Sequence, residues 1–282
     1  MGTDSKTDFE TIALRREGAV GVLALSRPDR MNAFTSTMAR EMIAALEAYD
    51  ADPTVRCILV EGEGRAFCAG ADIETGFGGS LGTKDLPPLH GEVRRDAGGW
   101  LNLAIYGLDT AVVAGVHRAA VGIGFTMLLP MDVVIAARGT KMAVPFTRRG
   151  IVWDGGASWL LPRVVGLGYA RDWSVSGRTF LAEEAHRAGM VSELADSDDA
   201  AKTRALEIAT DIAQNCSPQS IAHNKRILRE ALGSGGGGAS LFATHLRESE
   251  ALNARFASAD CQEGVESFFQ KRAPHFAAHT KG

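Results

Sequence analysis

Two short glycine-bearing turns and one carboxylate carry the chemistry readable in this chain. The turns are Ala69-Gly70-Ala71-Asp72, inside AFCAGADI, and Gly122-Ile123-Gly124, which opens the apolar run of AAVGIGFTMLLPMD. Small residues with glycine let backbone approach a ligand closely, and the N–H groups that begin a helix have no partner inside it. Such groups can hold an oxygen that becomes negative during a reaction. The carboxylate is Asp154, in Gly150-Ile151-Val152-Trp153-Asp154-Gly155-Gly156. An apolar, glycine-rich setting beside Trp153 partly desolvates it and raises its pKa toward values useful for proton transfer. Plainer readings exist for each feature. AGAD is ordinary turn vocabulary, and Asp154 can serve as the cap of the helix GGASWLL. From these residues alone, both readings stand.

Other chemistries find little support. Met127 stands where a dinucleotide fingerprint needs its third glycine. The seven histidines show no H-E-x-x-H spacing, so no metal is expected, and His117 reads as a structural residue at a strand end. The four cysteines, Cys57, Cys68, Cys216 and Cys261, contain no C-x-x-C pair, which argues against zinc and against a disulfide framework. Lys plus Arg number 30 against 34 for Asp plus Glu, a net charge of −4 that makes a nucleic-acid surface unlikely to be the partner. His117, Arg118 and Asp132 interrupt the apolar stretch, leaving fewer than the roughly 20 residues that a bilayer span needs. Reduced thiols and an N-terminus, MGTDSKTDFE, without an apolar core segment point to a cytoplasmic protein.

The elements that position these residues follow from periodicity. Residues 9–26 read as two β-rich runs around Glu17-Gly18, and Pro28 and Asn32 then turn the chain. Met38, Met42, Ile43 and Leu46 recur at helical spacing behind a Thr or Ser cap. CILVEGEG is a buried strand, and residues 74–99, with Pro87-Pro88 and the charged Arg95 and Asp96, form a long loop expected to act as a lid. Trp100–Leu108 is a helix leading into AVVAGV. The central stretch reads as strand, turn, buried helix and strand; Met142–Arg149 reads as irregular. Ala170–Ser176 and Ala182–Ala188 read as helices around Gly177-Arg178, and Met190–Leu194 as a final strand. Beyond Asp199 the pattern is helical, with Ser217-Pro218 as a cap and N1 proline. Residues 1–8 are expected to be a disordered end.

Taken in order, RPDRMNAF, AFCAGADI, AAVGIGFTMLLPMD, GIVWDGGASWLLPRVVG, SGRTFLAEEAHRAGMV and GVESFFQKRAPHF resemble the crotonase superfamily, the enoyl-CoA hydratase and isomerase family. The resemblance spans nearly the whole chain. It implies an α/β fold, a crotonase-like superhelix of ββα units over residues 9–198, and a helical trimerisation region over 199–282 in a homotrimer or dimer of trimers. It implies an acyl-CoA thioester substrate, with coenzyme A as part of that substrate and no separate cofactor. The backbone N–H groups of Ala71 and Ile123 would form the oxyanion hole, flanked by Ala69, Gly70, Asp72 and Gly122. Arg27, Arg30 and Lys271 would meet the CoA phosphates, and Trp153 would line the acyl pocket. Hydratases of this kind use two glutamates, and the matching positions here are Thr126 and Phe146. Asp154 falls where a subset of the family's isomerases carry their acid. The expected reaction is therefore a double-bond shift through an enolate, with Asp154 as the single acid and base. Hydration by a non-standard site and a silent CoA-thioester binder are the alternatives.

Overall fold

The computed structural model describes residues 9–72, 88–90, 93–94, 96–149, 151–232, 259, 263, 270–273 and 275–277. The chain opens with an antiparallel hairpin, β1 (Ile12–Glu17) and β2 (Val20–Leu25), which pairs Ile12 with Leu25 and Glu17 with Val20. Helix α1 (Ser36–Ala51) follows, and Thr35 caps it by accepting from Met38 N–H at 3.1 Å. Its Met38, Met42 and Leu46 are fully buried, so the apolar stripe becomes the packing face. Next come β3 (Cys57–Gly62), the two-residue-to-three-residue pair β4 (Pro88–His90) and β5 (Val93–Arg94), and α2 (Ala97–Gly107). The chain continues through β6 (Ala111–Val116), β7 (Ala119–Val121), a four-residue helix α3 (Ile123–Thr126), β8 (Val133–Ala137) and β9 (Lys141–Ala143). It then forms α4 (Ala157–Ser176), β10 (Thr179–Leu181), α5 (Ala182–Arg187), β11 (Glu193–Ala195), α6 (Asp198–Asn215) and α7 (Pro218–Leu232).

Six strands make the main sheet, in the order β1-β2-β3-β6-β8-β11, parallel from β2 onward. A second sheet of three short strands, β10-β9-β7, forms another layer. The chain thus repeats one pattern, a long strand in the main sheet followed by a short one in the second layer. Both faces of the main sheet are covered, which is why CILVEG and AVVAGV are near-continuous apolar runs. Leu23, Ile58, Val60, Val112 and Ala114 face α1 and the large core. Val22, Cys57, Leu59, Val113 and Ile135 face the opposite way, toward Ala201, Ala205, Ala209 and Ala213 of α6. Four alanines spaced four apart give that helix a flat surface, so it lies close against the strands. A Cβ added at Gly115 would sit 3.2 Å from Ala205 Cβ.

Four sequence readings differ from what is observed. The apolar stretch after Gly122 is helical only from Ile123 to Thr126 and then continues through turns to Pro130, closed by Leu128 N–H to Phe125 O and Leu129 N–H to Thr126 O. Its apolar length reflects burial on all sides, a condition that periodicity cannot separate from helix. Met142 belongs to β9, held between β7 and β10, where three residues are too few to show alternation. GGASWLL and Ala170–Ser176 join in one element, α4, with the non-helical Gly166 (φ 74°) breaking its path. The expected loop of 74–99 ends at Asp96, since residues 97–99 start α2; Arg95 and the rest of that loop other than β4 and β5 lie outside the described residues.

Beyond β11, α6 packs on the sheet, and α7 is tied to it through Lys225 and Asp132 (2.6 Å) and through Arg229 and Asp109 (3.2 Å). Residues 1–8 and most of the helical pattern expected beyond residue 232 lie outside the described residues. The alanine face of α6 has no room to spare. Ala205→Leu is expected to destabilise the protein by about 1–3 kcal/mol in urea unfolding, as overpacked cores do. Wild-type stability in that variant would show that the helix does not rest on the sheet as described.

Candidate active site

Residues 68–72 run between two neighbours and bond to both. On one side Cys68 N–H donates to Ala119 O (3.0 Å) and Val121 N–H to Cys68 O (3.1 Å). On the other, Ala69 N–H donates to Met31 O, Phe34 N–H to Gly70 O and Asp72 N–H to Phe34 O. Phe34 and Ala71 form a parallel bridge, so the bonds alternate, and Ala71 N–H points away from Phe34. Among the described residues it meets no acceptor. Gly70 has φ of +107°, and a Cβ there would meet Val121 O at 3.0 Å, so only glycine suits the position.

The second turn packs directly against the first. Gly122 (φ 55°) donates to Ala143 O at 2.9 Å and accepts from Phe125 and Thr126. Ile123 N–H, the first of α3, meets no acceptor among the described residues. A Cβ on Gly122 would lie 3.9 Å from Gly70 Cα, and a Cβ on Gly124 would lie 2.5 Å from Cys68 O. The two turns read separately in sequence therefore form one surface. Beneath it Cys68 is fully buried, and burial pushes its thiol up to about 12, so it stays neutral.

Asp154 joins this surface through a hydrogen bond and through a shared neighbour, Gly98. Thr126 Oγ1, fully buried on α3, donates to Asp154 Oδ1 at 2.8 Å. The point where a Cβ on Gly98 would stand lies 2.7 Å from Ile123 Cδ1 and 3.3 Å from Asp154 Oδ2. Asp154 is half-buried, and the loss of water around its carboxyl raises its pKa to about 7. The Thr126 bond works against that rise, and the negative charge of Asp96 adds to it. The carboxylate does not cap α4. That helix starts at Gly156 with no side-chain cap, and it is Asp154's backbone O that accepts from Ala157 N–H.

Asn102, a buried polar residue in the otherwise apolar α2, fastens the loops together. Its Nδ2 donates to Thr126 O (2.9 Å) and to Gly155 O (2.7 Å). Sequence reading missed it, although an amide inside WLNLAIYG is the kind of polar interruption that buried networks leave. Thr126, which the resemblance matches to one of the hydratase glutamates, bonds here to the Asp154 carboxyl. Phe146, at the other, is buried in the core.

The remaining candidates are placed as follows. Arg27 Nη2 pairs with Asp72 Oδ2 at 3.0 Å and its Nη1 donates to Ala33 O, which ties RPDRMNAF to the first turn. Ala69 and Gly70 lie in that turn. Arg30 is exposed in the 3-10 turn Pro28–Arg30, and Lys271 is exposed in the C-terminal segment. Trp153 is half-buried and packs against the core cluster. His117 is buried, with Nε2 bonded to Gly64 O at 3.1 Å, in the structural place expected of it. Among the described residues no cluster suits a metal ion, and no helix is long and apolar enough to cross a membrane.

The family model for enoyl-CoA hydratase/isomerase matches residues 15–279. The chain belongs to that family. An enoyl-CoA hydratase of Alternaria alternata is 39% identical over 257 residues, covering 91% of this chain and 82% of the relative. The 1,2-epoxyphenylacetyl-CoA isomerase of Escherichia coli K12 is 33% identical over 277 residues, covering 95% and 98%. Among solved structures, a probable enoyl-CoA hydratase/isomerase from Mycobacterium abscessus superposes with a TM-score of 0.83 at 31% identity, covering 95% of this chain and 99% of that one. The enoyl-CoA hydratase/isomerase family has the crotonase fold, and the layered sheets described above are that fold in this enzyme.

A carboxyl with a raised pKa has a signature in stability. Below its ordinary value of 3.8, Asp154 is mostly protonated whether the chain is folded or unfolded, and at pH 4 the difference between the two states is still small. As pH rises toward 7, the unfolded chain ionises it freely while the folded chain resists, so stability is lost, and above 7 that loss is complete. Asp154→Asn keeps an acceptor for Thr126 and removes this cost. Calorimetry is expected to find the variant more stable than wild type at pH 8 and nearly equal at pH 4; a variant less stable at pH 8 would contradict the desolvated carboxyl.

Proposed function

We propose that this family member isomerises an enoyl-CoA thioester, moving a double bond through an enolate with Asp154 as the single proton carrier. The observation that supports this most is the carboxyl of Asp154, poised near neutrality beside Ile123 and bonded to Thr126. A proton carrier works best when its pKa lies close to the working pH, since it must both take and give. In a 3-enoyl-CoA, the ionised Asp154 removes a proton from C2. The electrons pass into the thioester carbonyl, and the negative oxygen is held by the N–H groups of Ala71 and Ile123. Protonated Asp154 then returns the proton to C4, leaving the double bond between C2 and C3. Losing one such N–H donor typically costs about 10²- to 10³-fold in rate. Coenzyme A travels with the substrate, and no other cofactor takes part. Arg30 and Lys271, both exposed, remain proposed contacts for its phosphates, and Trp153 a proposed wall for the acyl chain. Arg27 would act on that site by holding the first turn.

Hydration is the second reading, favoured by the name of the Alternaria alternata relative. It calls for two proton-transferring groups, and Thr126 and Phe146 supply neither where the hydratase pattern has glutamates. The two readings separate by product. Incubation with a 3-enoyl-CoA is expected to yield the 2-enoyl-CoA, and Asp154→Asn is expected to lower kcat by about 10²-fold or more, on the scale of lost general acid–base catalysis. Equal turnover by both proteins would remove Asp154 from the mechanism, and a 3-hydroxyacyl product from a 2-enoyl-CoA would favour hydration. Because the ionised carboxylate begins the reaction, kcat/KM is expected to be level above about pH 7 and to fall below it. A profile flat from pH 5 to 8 would disagree.

A further inference from the structure

Asp96, whose negative charge adds to the rise of the Asp154 pKa, also bonds to the loop that carries that acid. It stands just before α2 and caps that helix, its Oδ1 accepting from Gly99 N–H at 2.5 Å. The same oxygen accepts from Gly155 N–H at 3.2 Å, across 59 residues of sequence. Gly155 follows Asp154 directly, so this bond fastens the acid's own loop to the head of α2. Gly98 shows how near the two carboxylates come. A Cβ there would be 3.3 Å from Asp96 Oδ1 and 3.3 Å from Asp154 Oδ2. Only a residue without a side chain leaves that gap open between them.

We propose that Asp96 is a positioning residue, which anchors the Asp154 loop through Gly155 N–H and keeps a second negative charge beside the proton carrier. An ordinary helix cap needs an acceptor and nothing more, and Asn or Ser would provide it. A charged cap beside a buried carboxyl does something further, since like charges resist sharing a site. Among the described residues, the other groups around Asp154 do not offset it. Thr126 is a neutral donor, Cys68 is a neutral thiol, Gly98 has no side chain, and Arg27, which reaches the 68–72 segment, is paired with Asp72. The two carboxylates also divide the work by setting. Asp96 is exposed and bonded to two N–H groups, while Asp154 is desolvated.

The proposal rests on Asp154 as the proton carrier, yet its test does not need turnover. Full-length enzyme labelled with ¹³C at the aspartate carboxyls would be titrated by NMR, with the Asp154 signal assigned by its loss in Asp154→Asn. Asp96→Asn keeps the acceptor and removes the charge, and it is expected to lower the Asp154 midpoint by about 0.5–1 pH unit, as a unit charge at this range in a partly solvated site would. The low-pH limb of kcat/KM should move the same way while kcat on the high-pH plateau stays within about twofold, since the loop remains anchored. Asp96→Ala, which removes the acceptor as well, is expected to lower that plateau about tenfold, a cost typical of misplaced reacting groups. An unmoved Asp154 midpoint in Asp96→Asn would overturn the charge role, and equal plateaus in the two Asp96 variants would overturn the anchoring role. Unchanged turnover in Asp154→Asn would instead reject the proton carrier, with the NMR midpoints still reporting on Asp96.

Discussion

The site depends on one backbone constraint, the bonding of residues 68–72 along both of their edges. Met31 and Phe34 hold one edge and Ala119 and Val121 the other, so the segment cannot shift without breaking bonds on both sides. That grip carries the first turn to the second and leaves no space for a side chain where they meet. Gly70 faces Val121 O and Gly124 faces Cys68 O. A rigid surface of this kind suits an oxyanion site, where donors must already be in place as charge develops.

The acid is set into this surface by neutral partners. Thr126 offers one hydroxyl, Asn102 binds the backbones of Thr126 and Gly155, and no cation among the described residues neutralises the carboxyl. With an arginine in reach, Asp154 would stay ionised and be too weak a base to take a proton from carbon. Desolvation without a cation leaves it balanced near neutral pH. Thr126 sits against this carboxyl with a hydroxyl and no charge of its own. A hydroxyl there can orient the remaining acid, and a second carboxylate there would compete with it for charge.

Much of this could be read along the chain, and the rest could not. The hairpin around Glu17-Gly18, the Thr35 cap and the stripe of α1 depend on neighbours within a few residues, so their signals are local. The two glycine turns and Asp154 stood out by composition, and the ordered motifs identified the family. Asn102, Asp96 and Thr126 did not declare their roles, because each acts on a residue 24 to 59 positions away. The length of α3 was misjudged for a related reason, since an apolar run in a fully buried place has no polar face to reveal its period. Arg27 looked like a cation for phosphate, and only the fold could pair it with Asp72.

Sequence by itself determined the parts: which strands are buried on both faces, where glycine is required, and that one carboxylate sits among apolar residues. Tertiary structure decided what those parts do to one another. It joined the two turns into a single surface, placed Thr126 and Asp96 on either side of Asp154, and removed the water that would otherwise hold its pKa low. Desolvation and charge act through space over a few ångströms, whereas sequence records only separation along the chain.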